Sequence, residues 1–249
     1  MIVIHGGPGA CGSMAPVARG IADLFRVLEP FQSAISATVA DHVADLHEVV
    51  ESFSQGAAPA LVGHSWGAML ALAYAAAHPE KAGPIVLVCS GTFDLAARER
   101  FSINLSERKK DEGARQRFER ALQISDQNDR FHELGKQTLE LYSYDLATTE
   151  QEIDESEPGS GESTWEDMVR LQNEGVYPAA FAAIKSPVLM LHGAVDPHPG
   201  KMIRASLTPY LPQLEYRDWD RCGHYPWLEK TTRDEFFSVL RNWLANRLG

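Results

Sequence analysis

The chain of 249 residues lacks the features that mark secreted and membrane-spanning proteins. Its three cysteines, Cys11, Cys89 and Cys222, are odd in number and widely spaced, without the pairing of a disulfide framework or a metal site. No apolar run reaches the roughly 18 residues that a membrane span needs. Met1 leads into the apolar run Ile2–Ile4 without a basic flank or a cleavage site. We therefore expect reduced thiols, no membrane partner and a cytoplasmic location.

Positive charge is also scarce, since 23 Lys and Arg residues stand against 34 Asp and Glu residues, for a formal net charge of −11. A negative field repels polyanions, so nucleic acid is excluded as a partner, and a small-molecule or short-peptide substrate is expected. The composition, 44% hydrophobic and 23% charged, is typical of a globular protein with a full core. The length suits one large α/β domain with a smaller inserted module. The oligomeric state stays open.

Short apolar runs alternate with amphipathic stretches, which predicts an α/β fold with a mostly parallel sheet and helices on both faces. The predicted strands are Ile2–Ile4, 27–28, 59–62, Ile85–Val88, 187–191 and Leu214–Trp219. The predicted helices are 39–53, 68–77, 202–210 and 232–248. Because the first strand begins at residue 2, a minimal sheet or a truncated start is expected.

The alternation stops after residue 93 and resumes at residue 185. We predict that residues 1–93 and 185–249 form the α/β core and that residues 94–184, which are helix-like and charged, form an inserted helical cap. Within this insertion, residues 150–167 hold eight acidic residues and no basic one. Such a charge run is predicted to be a solvated, mobile loop.

A Gly-x-Ser-x-Gly pattern occupies residues 63–67, directly after one predicted strand and directly before a predicted helix. The bare pattern often arises by chance. Between a strand and a helix, however, it is typical of a strained turn that presents a serine hydroxyl above a sheet. The following helix N-terminus also favours developing negative charge there. The pattern therefore predicts Ser65 as a nucleophile.

A serine hydroxyl is a poor nucleophile near neutral pH, so it needs a base and a third group that orients the base. In this kind of fold the three groups follow in the order Ser, Asp or Glu, His, each in a loop at the carboxyl end of a strand. Asp196 and His224 occupy such loops after the last two predicted strands. We predict Ser65, Asp196 and His224 as a catalytic triad.

Other residues compete for two of these roles. Asp94 follows a predicted strand and is the second choice for the acid, whereas Asp218 and Asp220 lie too near the predicted base in sequence. His198 neighbours the predicted acid and is the main rival as base, but it precedes the final strand. The histidines within helices or the cap are expected to be ordinary hydrogen-bonded or solvated residues.

A His-Gly-Gly-Pro-Gly sequence at residues 5–9 follows the first predicted strand. Its glycines allow the close backbone approach that an oxyanion hole requires. We predict that the N–H of Gly7 (or Gly6) pairs with that of Trp66 to bind the oxyanion, each donor contributing about 3 to 4 kcal/mol. This mechanism needs no metal or organic cofactor.

Together these motifs resemble the α/β-hydrolase family over nearly the whole chain apart from the cap. The pairing of residues 5–9 with Ser65-Trp66-Gly67 resembles the proline iminopeptidase branch, and residues 223–229, Gly-His-Tyr-Pro-Trp-Leu-Glu, resemble the family's histidine loop. The resemblance implies the α/β-hydrolase fold with a helical cap over the site. It also implies that acidic cap residues, here within 150–167, bind the free ammonium of a peptide substrate.

The chain departs from that branch at residues 31–36, which lack an Asp-Gln-Arg-Gly type of sequence, and at His64, where many members have glycine. The predicted function is a serine hydrolase that cleaves an ester or amide bond of a small substrate through an acyl-enzyme, with a proline iminopeptidase-like aminopeptidase as one form. Carboxylesterase, lactonase and C–C bond hydrolase activities use the same constellation and stay open. A non-catalytic ligand-binding protein on the same scaffold is the alternative from another class.

Overall fold

The structure is a computed structural model that describes residues 1–149 and 161–248. In these residues one sheet has five strands, all parallel, in the order β1-β2-β3-β4-β5. The strands are β1 Ile2–Ile4, β2 Leu61–His64, β3 Ile85–Val88, β4 Val188–Gly193 and β5 Leu214–Trp219. The predicted strands therefore lie within two residues of the observed ones, with one exception described below.

Helices connect the strands and fill the long segment between β3 and β4. The α-helices are α1 Ala15–Ile21, α2 Val39–Ser54, α3 Trp66–Ala77, α4 Leu95–Arg108, α5 Glu112–Leu122, α6 Gln127–Tyr142, α7 Gly161–Asn173, α8 Gly200–Leu207 and α9 Arg233–Leu248. Short 3-10 helices lie at Ala179–Ala183 and Pro226–Leu228. None of the helices in the described part of the chain has the length and apolarity that a membrane crossing requires.

Each central strand buries both faces, so successive side chains enter two different cores. In β3, Ile85 and Leu87 pack with α2, α3 and α8, whereas Val86 and Val88 pack with α1 and α9. This is why the strand sequences are continuous apolar runs instead of alternating ones. The two cores hold the sheet between helical layers, as the alternating pattern of the sequence predicts.

Parallel pairing also determines where the loops with the predicted site residues lie. Because the carboxyl ends of parallel strands meet at one edge of a sheet, the loops after β1, β2, β4 and β5 are neighbours. These loops contain residues 5–9, Ser65, Asp196 and His224 respectively. The fold therefore brings together residues that are up to 219 positions apart in the sequence.

The predicted strand at residues 27–28 is wrong. Leu28 makes only an isolated parallel bridge to Ile2, with its carbonyl accepting a hydrogen bond from the Val3 N–H at 2.8 Å. Pro30 follows closely and has no N–H to extend a ladder. The apolar pair is thus too short, and too close to a proline, to form a strand.

The predicted loop at residues 150–167 is also wrong in part, because residues 161–167 form the first turns of α7. Residues 150–160 lie outside the described residues. Trp165, Met168 and Leu171 recur at helical spacing on the side of α7 that packs on the core. The Thr164 hydroxyl also lies 3.1 Å from the Nε2 of His42, which belongs to α2. The acidic residues dominate the sequence of this segment, so the helical spacing of its few apolar residues was not recognised.

Gly67, the second residue of α3, provides a test of this packing. A Cβ atom on Gly67 would lie 2.2 Å from the carbonyl oxygen of Ile4 and 2.5 Å from that of His5, both backbone atoms of the neighbouring strand and its loop. We expect Gly67→Ala to lower the free energy of unfolding by about 2 to 3 kcal/mol, as overpacking does, in urea denaturation followed by circular dichroism.

Gly135→Ala is the matched control, because among the described atoms outside the backbone of its own helix none lies within 4 Å of the Cβ position of this glycine in α6. Alanine there is expected to leave stability unchanged or to raise it by about 0.5 to 1 kcal/mol, the helix propensity difference. Equal losses of stability in the two variants would contradict the close approach at Gly67.

Candidate active site

Ser65 occupies the sharp turn between β2 and α3. Its backbone has φ 54° and ψ −117°, a positive-φ conformation that costs a non-glycine residue about 1 to 3 kcal/mol and is concentrated at functional sites. The Ser65 N–H donates to the carbonyl of Val88 at 2.9 Å, which anchors the turn to β3. The side chain lines a cavity at the carboxyl edge of the sheet.

His224 and Asp196 meet in the loops after β5 and β4. The Nδ1 of His224 donates to Oδ2 of Asp196 at 2.6 Å, and both side chains are almost fully buried. Burial acts to raise the pKa of Asp196, but the attraction of His224 and His198, with hydrogen bonds from both rings, outweighs it. The pKa of Asp196 therefore lies well below its usual value, and the residue is a carboxylate near neutral pH.

His198, the rival base, contacts the same carboxylate. Its backbone N–H and its Nδ1 both reach Oδ1 of Asp196, at 2.8 and 3.0 Å. The two histidines thus hydrogen-bond to different oxygens of Asp196, and Nε2 of a third histidine, His192, lies 3.4 Å from Oδ2. Both rings, like Ser65, line the same cavity.

The backbone of His224 is held from two sides. Its N–H donates to the carbonyl of Tyr142 at 2.9 Å, and its carbonyl accepts a hydrogen bond from Nε2 of His64 at 3.0 Å. Burial lowers the pKa of His64 well below its usual value, so this ring is a neutral donor. The histidine that precedes Ser65 therefore supports the loop that carries His224.

A second buried carboxylate, Glu229, fastens the same loop. It accepts backbone N–H donors from Gly223 at 2.8 Å, from Tyr144 at 2.8 Å and from Asp145 at 2.6 Å. Tyr144 and Asp145 follow α6, so Glu229 joins the inserted segment to the His224 loop. Arg108, at the end of α4, adds hydrogen bonds to the carbonyls of Leu141 and Val195.

The predicted oxyanion donors lie in two segments that one side chain connects. Gln32 donates from Nε2 to the carbonyl of His5 at 2.9 Å, and its Oε1 accepts from Nε1 of Trp66 at 2.8 Å. Gly7 has φ 113°, which favours glycine. Trp66 is the first residue of α3, where backbone N–H groups have no intrahelical acceptor. Their oxyanion role stays a prediction.

The alternative acids have other partners. Asp94 accepts the Ala97 N–H at 2.7 Å and caps α4, and Asp218 accepts a hydrogen bond from the Tyr216 hydroxyl at 3.1 Å. Neither contact involves His224. The geometry thus favours Asp196 as its partner.

The cavity beside Ser65 has a volume of about 620 Å³. In the described part of the chain, its walls contain no aspartate, glutamate, lysine or arginine. The lining residues are Gly6, Gly7, Ala10, Ser13, His64, Ser65, Trp66, Met69, Gly91, Phe101, Leu134, Gly135, Thr138, Tyr142, Trp165, His198, His224 and Tyr225. Apolar and aromatic walls with a few polar groups are typical of a small-molecule site.

The sequence profile of the Alpha/beta hydrolase family matches residues 1–239. The chain belongs to this family. Comparison with curated proteins gave no match. Among solved structures, a thermophilic esterase from Thermogutta terrifontis is similar over 98% of this chain and 89% of its own, at 18% identity and a TM-score of 0.65.

Two further solved structures cover nearly the whole chain. MenH from S. aureus matches 100% of this chain and 95% of its own, at 14% identity and a TM-score of 0.65. Est816, an N-acyl homoserine lactone degrading enzyme, matches 97% of this chain and 92% of its own, at 19% identity and a TM-score of 0.56. At such identities the likeness shows the fold, and the predicted α/β-hydrolase fold is confirmed. The proline iminopeptidase branch stays a prediction.

Within this α/β hydrolase, the same cluster contains groups that ligate metals in other proteins. Donor atoms of Cys89, His192 and Asp196, and of Asp196, His198 and His224, come within 4.8 Å of one another. In the second group, Nδ1 of His198 and Nδ1 of His224 already donate hydrogen bonds to the oxygens of Asp196. Burial raises the pKa of the Cys89 thiol well above its usual value, which disfavours the thiolate that binds metals. Catalysis without a metal stays a prediction.

Sequence reasoning missed the roles of His198, Glu229 and Gln32. His198 had a usable signal, since it lies two residues from the predicted acid. Glu229 belongs to the histidine-loop motif of the family, but its partners after α6 are 84 and 85 residues away in the chain. No local pattern shows such a contact.

The buried Glu229 carboxylate leads to a stability prediction for this α/β hydrolase. Hydrogen bonds to a charged acceptor contribute about 1.5 to 3 kcal/mol, and a glutamine would set its own N–H group against one or more donors. We expect Glu229→Gln to lower the free energy of unfolding by about 2 to 3 kcal/mol, in urea denaturation followed by fluorescence.

Glu166→Gln makes the same chemical change at an exposed position of α7 and serves as the control. A surface substitution of this kind is expected to change stability by less than about 0.5 kcal/mol. Equal urea midpoints for the two variants would show that Glu229 does not stabilise the contact between the His224 loop and the end of α6.

Proposed function

We propose that this α/β hydrolase is a carboxylic ester hydrolase that acts on small, neutral esters through an acyl-enzyme on Ser65. One observation carries the proposal: the strained Ser65 turn and the ring of His224, which is paired with Asp196, open into one cavity, whose described walls carry no charged side chain. The geometry supports acyl transfer, and the neutral walls favour an uncharged substrate.

In the first half-reaction, His224 takes the proton of the Ser65 hydroxyl while the oxygen attacks the ester carbonyl carbon. The Asp196 carboxylate holds the ring by Nδ1 and stabilises the imidazolium that forms. The N–H groups of Gly7 and Trp66 bind the oxyanion of the tetrahedral intermediate. The C–O bond to the leaving group then breaks, His224 gives that oxygen its proton, and an acyl-enzyme remains.

In the second half-reaction, His224 takes a proton from water as the water oxygen attacks the acyl carbon. The second tetrahedral intermediate uses the same oxyanion donors. Its collapse breaks the bond to the Ser65 oxygen, which regains the proton from His224, and the carboxylic acid leaves. The cycle returns every group to its starting state and uses no cofactor.

The cavity walls support an apolar or aromatic group on the substrate. Phe101, Tyr142 and Trp165 come from α4, α6 and α7 of the inserted segment, and Tyr225 follows His224. We propose that residues 94–184 act as a cap that supplies this apolar surface. A cyclic ester meets the same requirements, and the structural relative Est816 degrades a lactone.

Cleavage of peptides with a free N-terminus receives less support from the described residues. Asp167, which belongs to the acidic stretch, accepts the Val39 N–H and pairs with Arg170, so its charge is already compensated. An ammonium group in the cavity would need an anionic partner. The described walls supply none. Glu162 and Glu166 of the stretch are exposed on α7, and its acidic residues at 150–160 lie outside the described residues.

The nucleophile can be tested directly. We expect a fluorophosphonate probe to label Ser65 and the Ser65→Ala variant to lose at least about 10³-fold in kcat/KM on p-nitrophenyl butyrate, as removal of a triad nucleophile does. Mass spectrometry of the labelled peptide and initial-rate kinetics measure the two effects.

Ser13 lines the same cavity and provides the matched control. Ser13→Ala is expected to keep the label on Ser65 and to keep most of the activity. Labelling at a serine other than Ser65 in folded protein would contradict the assignment.

The substrate class can be tested with paired compounds. We expect hydrolysis of short p-nitrophenyl esters and no preference for prolyl p-nitroanilide over its N-acetylated form, because the described cavity has no anion to bind the free ammonium. A kcat/KM that is about tenfold higher for the free amine would correspond to about 1.4 kcal/mol of ammonium recognition. That outcome would replace the ester hydrolase with the aminopeptidase.

A further inference from the structure

Two histidines share one buried carboxylate in this site. Oδ2 of Asp196 accepts from Nδ1 of His224 at 2.6 Å, while Oδ1 accepts from Nδ1 of His198 at 3.0 Å and from the His198 N–H at 2.8 Å. A triad needs only one of these rings on the acid. The second ring is an additional donor to the group that orients the base.

The position of the His198 ring is fixed on both faces. It stacks on Phe101 with ring centroids 4.2 Å apart and 16° between the planes, and on His224 at 4.8 Å and 24°. Its side chain is 10% exposed. Because Nδ1 donates to the carboxylate, Nε2 carries the lone pair of the neutral ring. His198 is thus held as a neutral donor beside the base.

We propose that His198 is a positioning residue that shares the Asp196 carboxylate with His224 and thereby weakens His224 as a base. The inference rests on the proposed function, because it assigns His224 the role of general base. His198 acts through Asp196 and touches neither Ser65 nor the reacting carbonyl in this scheme.

The sign of the effect follows from electrostatics. A carboxylate that accepts an extra N–H bond has part of its negative charge compensated, so it stabilises a neighbouring imidazolium less. The Nδ1–H dipole of His198 also points its positive end toward the Asp196 carboxylate, whose other oxygen contacts His224. Both effects make Asp196 a weaker stabiliser of the His224 imidazolium, so removal of the His198 ring nitrogen is expected to make His224 a stronger base.

Other titratable and charged groups face this pair and must stay constant in any test. The groups that interact electrostatically with His198 or contact its ring are Asp196, His192, His224 and Tyr142. His64 faces the pair from β2, and Arg108 and Cys89 face Asp196 from the side of α4 and β3. Arg100, Lys201, Tyr216 and Asp218 line a neighbouring cavity with His198. Substitutions at position 198 alone leave all of them in place.

The experiment measures the pKa of His224 by NMR titration of its ring in three proteins. All three carry Ser65→Ala; the first has no other change, the second also carries His198→Phe and the third also carries His198→Asn. Phenylalanine keeps a ring against Phe101 but removes the side-chain donor. Asparagine has no titrating group and places an amide N–H near the position of Nδ1. We expect the phenylalanine variant to raise the pKa of His224 by about half a unit or more and the asparagine variant to stay near the parent value.

The same shift is expected in the acid limb of kcat/KM against pH when Ser65 is present, with the limb moved to higher pH in His198→Phe and restored in His198→Asn. An unchanged His224 pKa in folded His198→Phe protein would overturn the proposal, as would equal shifts in both variants, which packing alone would produce. If His198→Phe does not fold, His198→Met provides the same comparison.

Failure of the proposed function is distinguishable from failure of this inference. The NMR titration needs no turnover, so it reports on His198 even if Ser65 is not the nucleophile. An active Ser65→Ala protein would refute the proposed function and leave the titration result standing as a property of the two histidines and their shared acid.

Discussion

The buried carboxylate of Asp196 is the interaction on which the rest of the site depends. An ionised carboxylate without partners in a protein interior costs several kcal/mol, so the fold must supply donors from every side. Here two imidazole rings and a backbone N–H supply them. Because His224 comes from the loop after β5, the set of donors is complete only when the loops after β4 and β5 come together.

Glu229 is a second buried carboxylate that accepts hydrogen bonds from separate segments of the chain. Its three backbone donors join the His224 loop to the end of α6, and Arg108 joins α4 to the loop that carries Asp196. The segment between β3 and β4 thus contributes more than cavity walls. Because it is bonded to the loops that carry Asp196 and His224, a displacement of that segment would change the positions of these two residues. The shape of the cavity and the geometry of the His224–Asp196 pair are therefore coupled.

Charge is distributed in a way that suits the proposed reaction. The whole chain carries a formal net charge of −11, whereas the described walls of the cavity carry no charged side chain. A neutral ester meets no electrostatic barrier on entry, and the carboxylate product, once ionised, is repelled by the surrounding field. The aromatic walls from the inserted segment provide the apolar contact.

Much of this α/β hydrolase follows from the sequence alone because its signals are local. A strand, a tight turn and a helix at residues 59–77 are adjacent in the chain, so they locate Ser65, and the loops of Asp196 and His224 each follow a recognisable apolar run. Tertiary structure decided what depends on distant partners. The isolated bridge of Leu28, the packing of α7 beneath its acidic bias, the three donors to Glu229 and the division of Asp196 between two histidines all depend on contacts between segments brought together by folding. Sequence periodicity reports which face a residue presents, but not which atom it meets there.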